Sequence, residues 1–158
     1  MKLQKYAFLA EIVGAVGIVV SLVFVGFQLK GNSDLLAAQA VFDLRDSNSF
    51  MSRDMVTNPE FAEIVYRGNY DDDESLTAVE KWRFDFWVEE VLTHRMTAWK
   101  YAEEGLLDPE EIESWQSVTC AYVAIPGVRK VWDRGGTWLR ADFRVYVERS
   151  CFGDDGSR

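Results

Sequence analysis

Residues Tyr6 to Leu29 read YAFLAEIVGAVGIVVSLVFVGFQL, and the stretch Ile12 to Phe27 within them carries no charged side chain. As one helix, 24 residues run roughly 36 Å, enough to cross a hydrocarbon core of about 30 Å. A helix that is apolar on every side has to be covered by lipid or by a large protein body. No other element of this 158-residue chain is large enough to wrap it, so a single membrane-spanning helix is expected. Lys2 and Lys5 ahead of the run would also suit a cleaved leader. The run ends in Gly26-Phe27-Gln28-Leu29-Lys30, however, with no small-x-small cleavage site and no cysteine for lipidation, so an uncleaved anchor is expected.

The charge balance narrows the partners. The chain carries Lys+Arg 17 against Asp+Glu 26, a net charge of -9, and nucleic-acid affinity depends on Lys and Arg neutralising phosphates. Nucleic acid is therefore excluded as a default partner. A hydrophobic content of 48% is too high for generic disorder, and a mean hydropathy of -0.14 is too low for several membrane spans. The expected division is residues 1–30 as membrane anchor, 31–149 as a helical domain and 150–158 as a polar tail. Lys2 and Lys5 on one side of the span, against Lys30 and the more distant Arg45 on the other, lean slightly towards an N-terminus inside. Cys120 and Cys151 leave the side open: they fit a disulfide outside or two inert thiols inside.

Capping signals divide the body into helices. Asn32-Ser33-Asp34 suits the start of a segment from Leu35 to about Val56, and Asn58-Pro59 the start of a short one ending at Gly68. Thr77-Ala-Val-Glu80 is a capping box that opens a long helix over about 78–104. Asp108-Pro109-Glu110-Glu111 combines a cap, a proline in the first turn and early acidic residues. Further short helices are expected from Pro126 to Gly135-Gly136 and from Arg140 to Glu148. Phe143 to Val147 alternates only briefly and fits a helical turn. The fold class is thus all-α: one N-terminal transmembrane helix followed by a compact bundle of about five to six helices.

On the long helix, Phe84, Val88, Val91, Leu92, Trp99 and Ala102 share a face and are core candidates. Trp82, Phe86 and Trp87 widen the apolar surface beyond one stripe, so this helix is either central in a bundle or partly covered by a partner. These three residues are the candidate docking surface. All six Trp fall between Trp82 and Trp138, where they serve either as interface anchors or as filling of the bundle core. In the span, Ala10, Gly14, Gly17 and Ser21 recur at four, three and four and form a candidate stripe for close helix packing, although small residues are common in membrane helices. Pro59 to Gly68 and Pro126 to Gly135 share the pattern P-x-Φ-x-x-Φ-Φ-x-R-G, which fits either two related units or shared capping chemistry.

These residues carry a resemblance. Glu11 to Asn32, EIVGAVGIVVSLVFVGFQLKGN, together with Asn58-Pro59-Glu60-Phe61, Arg67-Gly68 and the break at Gly105 to Asp108, resembles a widespread family of uncharacterised bacterial proteins. In that family an apolar helix of the type EIxGAIxVVxSLxYxxxQIRxN precedes a small helical domain. The resemblance reaches to about residue 148 and implies a bacterial membrane location, with no activity or catalytic residue to carry over. This chain departs from the pattern at Lys30-Gly31, where members carry a more basic flank.

Candidate chemistry is sparse. Glu90 and His94 are four apart, but a di-iron carboxylate site uses Glu-x-x-His at three, repeated on a second helix, and a zincin uses two His. Asp71-Asp72-Asp73-Glu74 would place Leu76 and Trp82 where a calcium loop needs Gly and Glu. No phosphate loop, nucleophile elbow or dinucleotide fingerprint occurs, and the span holds no His for a tetrapyrrole. No metal, cofactor or catalytic residue is expected. The expected role is a non-catalytic accessory or structural subunit whose partners are membrane lipid and a membrane protein or a second copy of the chain. The alternative is a ligand-sensing or enzymatic module with an aromatic-lined apolar pocket.

Overall fold

The computed structural model describes residues 2–70, 75–136 and 138–153, and among these it contains six helices and no strand. They are α1 (Lys2–Thr57), α2 (Pro59–Tyr70), α3 (Ala78–Glu103), α4 (Pro109–Val123), α5 (Pro126–Arg134) and α6 (Ala141–Phe152). The acidic run Asp71 to Glu74 lies outside the described residues, as do 154–158 of the expected tail. The chain divides into two compact units, Met1–Gln39 and Ala40–Arg158.

The first unit is helical. Its most apolar 18-residue window has a hydropathy of 2.4 with none of it buried, so one helix is apolar and long enough to cross a membrane. Every described side chain from Glu11 to Leu36 is exposed. The separate helix expected after an Asn32-Ser33-Asp34 cap does not exist, because α1 runs unbroken through those residues. A capping side chain contributes only about 1 kcal/mol, and residues of this kind also fit a helix interior when they point outward or bond back to it. Elsewhere in α1, Ser21, Ser49, Ser52 and Thr57 each donate to the carbonyl four residues earlier, at 2.8–2.9 Å.

The second unit is built around α3. Thr77 Oγ1 accepts from the Glu80 amide while the Glu80 carboxylate accepts from the Thr77 amide, which is the reciprocal box that the sequence predicts. Asp108 accepts from the Glu111 amide with Pro109 in the first turn of α4, and Asn58 Oδ1 accepts from the Phe61 amide at the start of α2. Phe84, Val88, Val91 and Leu92 are buried as expected, whereas Trp99 and Ala102 are half-buried and Ala98 takes a core place. Phe84, Val88 and Leu92 join Ile64, Val123, Val128, Val131, Trp132, Phe143 and Val147 in the main core. Trp132 is wholly buried, and its indole N–H donates to Glu148 Oε1 at 2.8 Å, which satisfies the one polar atom that burial would otherwise strand. A second, smaller cluster packs Leu44 of α1 against Ala98 and Leu107.

α6 extends to Phe152, beyond the expected end at Glu148, so residues 150–152, assigned to the tail by sequence, are helical. Cys151 in that last turn is disulfide-bonded to Cys120 of α4. The two P-x-Φ-x-x-Φ-Φ-x-R-G segments are both helical and each carries an arginine paired with an acid of α3, Arg67 with Glu80 and Arg134 with Asp85; α5 ends at Arg134, whereas α2 runs on past the expected end at Gly68 to Tyr70. Their shared glycines have different causes. Gly68 lies inside α2, with the Phe84 ring where a Cβ would sit, whereas Gly135 terminates α5 at φ 68, a backbone conformation that L side chains rarely adopt.

α2 and α5 approach so closely that a Cβ on Gly127 would fall on the carbonyl oxygen of Gly68. Backbone cannot yield as a flexible side chain can, so Gly127→Ala is expected to destabilise the body by about 3 kcal/mol. The check is the thermal unfolding midpoint of the full chain, followed by circular dichroism.

Candidate functional site

Two concave regions of the second unit combine aromatic and charged side chains. The first is a groove of about 610 Å³ formed by the end of α1, the start of α2 and the first half of α3. Its walls include Phe61, Trp82, Phe86 and Trp87, with Asp54 and Glu90 beside them. Trp82 stacks on Phe86 with centroids 5.9 Å apart, and Trp87 meets the edge of Phe61 at 5.4 Å. Spacing explains the exposure: Trp82 and Phe86 are one turn apart on the side of α3 away from Phe84, Val88 and Leu92. They remain 68% and 52% exposed, while Trp87 is half-buried against the core. The side chains of Asp54 and Glu90 have no hydrogen-bond or ion-pair partner among the described residues. Arg83 reaches out of this wall to Glu60 at 3.4 Å.

The second region is a cavity of about 850 Å³ between the 41–49 part of α1, Arg95 of α3 and the first half of α4. Trp115 forms one wall. His94 meets its ring edge at 5.3 Å, and the Arg95 guanidinium lies over its face at 4.9 Å. Arg45 spans the rim to Glu111 at 2.7 Å.

His94 and Glu90 therefore point to different places: Glu90 lines the aromatic groove, whereas His94 packs on Trp115 with its ring bonded to the Leu44 backbone. His94 Nε2 is buried without a partner. Among the described residues no group of three or more His, Cys, Asp or Glu is placed to hold a metal ion. Of the small-residue stripe, Gly14 and Gly17 have open space around them and Ser21 bonds back to the Gly17 carbonyl, while the Ala10 side chain lies outside the described residues. Of the six Trp, Trp132 fills the core and Trp82 faces outward, so both expected uses of tryptophan occur in one body. Sequence patterns alone assign none of Asp54, Phe61, Arg95 and Trp115 to either concave region. The one available signal was Trp115 at three-four spacing between Ile112 and Thr119, which puts it on the inner face of α4.

Comparison with protein-family models, with curated proteins and with solved structures finds no match to this chain. The likeness carried by residues 11–32 rests on the sequence pattern alone.

Burial first, and the Arg95 charge second, hold His94 down at about 4, against the opposing hydrogen bond to Leu44. The folded value lies below the unfolded one of 6.5, so the unfolded chain binds more protons between the two. Stability is therefore lost as pH falls from about 6.5 to about 4. Glu80 and Asp142, held down at about 2 by their hydrogen-bond partners, lose their contributions as pH falls from their unfolded values of 4.5 and 3.8 towards about 2. The urea midpoint of the full chain is expected to drop between pH 7 and pH 5, and His94→Gln should flatten that drop.

Proposed function

We propose that this protein is a single-pass membrane accessory subunit, without catalytic activity of its own, that docks on a larger membrane protein through the Trp82–Phe86–Trp87 groove. The observation that carries this reading is the pair of large aromatic side chains stacked outward on α3. Exposed aromatic surface of this kind costs hydration free energy that a partner removes, and tryptophan anchors dominate interface energetics. Asp54 and Glu90 specify the partner further. Two unpaired carboxylates beside aromatic faces complement a Lys- or Arg-bearing segment, by charge and by cation–π contact. The long apolar part of α1 supports a membrane anchor, with Gly14, Gly17 and Ser21 available for close approach of a neighbouring helix or a second copy.

Cross-linking and co-purification from native membranes provide the test. Trp82→Ala and Phe86→Ala alter exposed side chains and leave the core intact, so both variants should fold and lose at least tenfold of the captured partner. Equal capture by wild type and by both variants would remove the groove from the proposal.

The Cys120–Cys151 disulfide and the Lys2 and Lys5 charges together support a helical body on the oxidising side of the membrane, with the N-terminus inside. Thiol labelling in whole cells is expected to modify Cys120 and Cys151 only after reduction. Labelling of both without reductant would reverse the orientation.

A further inference from the structure

Arg95 differs from other arginines of the body. Arg45, Arg67, Arg134 and Arg140 each hold a carboxylate, and Arg144 donates to the Trp132 carbonyl. Arg95 forms no ion pair among the described residues, and its guanidinium lies over the face of Trp115. Its Nε is closed off from solvent without a hydrogen-bond acceptor, and the buried Tyr122 hydroxyl that acts on it electrostatically also lacks a partner. A buried guanidinium Nε without an acceptor is costly, and a ring face replaces only part of its lost hydration. Asp108, Glu110 and Glu111 line the same cavity, yet none of them pairs with Arg95.

Arg95 and Trp115 both open onto the cavity of about 850 Å³, with Val41 and Val118 as apolar wall. The acids around this cavity limit its occupant. Glu111 is engaged by Arg45, and Asp108 caps the Glu111 amide, which leaves Glu110 at the rim without an ion pair among the described residues. They would repel a multiply charged phosphate but tolerate one negative charge placed at Arg95. A planar guanidinium is matched by a carboxylate, which it binds through two parallel hydrogen bonds. We infer that this cavity binds a small monocarboxylate, with its carboxylate on Arg95 and its apolar body against Trp115, Val41 and Val118.

This site is separate from the docking groove and would make the accessory subunit responsive to a metabolite-sized acid. The test uses the full chain in nanodiscs at constant ionic strength, with benzoate and hexanoate as probes and benzamide and hexanamide as uncharged counterparts. Thermal shift and quenching of tryptophan fluorescence are the readouts. Saturable binding of one or both carboxylates, at least tenfold tighter than the matching amide, is expected. Arg95→Met, which keeps the apolar stem, should abolish that discrimination, whereas Arg83→Met in the groove should preserve it. Equal response to acid and amide, no saturable binding of either carboxylate, or an unchanged preference in Arg95→Met would overturn the inference. If Arg95→Met does not fold, Arg95→Lys decides: it keeps the charge but loses the fork, and must weaken carboxylate binding.

Discussion

The body depends on covering α3. This helix is apolar around so much of its circumference that one neighbour cannot bury it, and α2, α4 and α5 all pack against it while α6 completes the core through Phe143 and Val147. Hydrophobic burial is non-directional and would accept many arrangements of these helices. Directional contacts restrict the choice. The Trp132 indole is tied to Glu148, the Arg67 and Arg134 side chains are tied to acids of α3, and Gly127 lets α5 close onto the backbone of α2. Apolar area drives the assembly, and these few polar and steric restraints select its register.

Covering α3 leaves a remainder. The surrounding helices conceal Phe84, Val88 and Leu92 but leave Trp82 and Phe86 exposed. The second concave region arises where the end of α1 meets α3 and α4. There Leu44, Ala98 and Leu107 form a small core of their own, and Arg95 and His94 sit at its edge. Both regions thus occur where helices that satisfy one packing requirement diverge from the next.

Helix starts in the body were legible because their signals are local. Thr77 and Glu80, or Asp108 and Pro109, act within one turn, and no distant residue alters their meaning. The failure at Asn32-Ser33-Asp34 has the same physical basis. A cap stabilises an end where one exists, but it is too weak to create an end in a helix that continues favourably on both sides. Arg95 was illegible because a charged residue on an amphipathic helix is normally solvated. Only tertiary packing, with Trp115 twenty residues later in the chain laid against the guanidinium, closes its Nε off from water without supplying an acceptor. Spacing likewise could not pair Cys120 with Cys151, since that depends on α4 and α6 lying side by side. The groove residues Trp82, Phe86 and Trp87 were legible as a surplus of apolar surface, but Phe61, Asp54 and Glu90 joined them only through tertiary structure.

The link between Cys120 and Cys151 closes a covalent ring that contains the end of α4, all of α5 and nearly all of α6. A protease that cuts once anywhere between those cysteines therefore opens the ring without releasing a fragment. The severed pieces stay at a high effective concentration and can reseat around Trp132, so the body can tolerate a nick that would dismantle an unlinked bundle. The crosslink thus converts backbone cleavage within the ring from an irreversible loss into local damage.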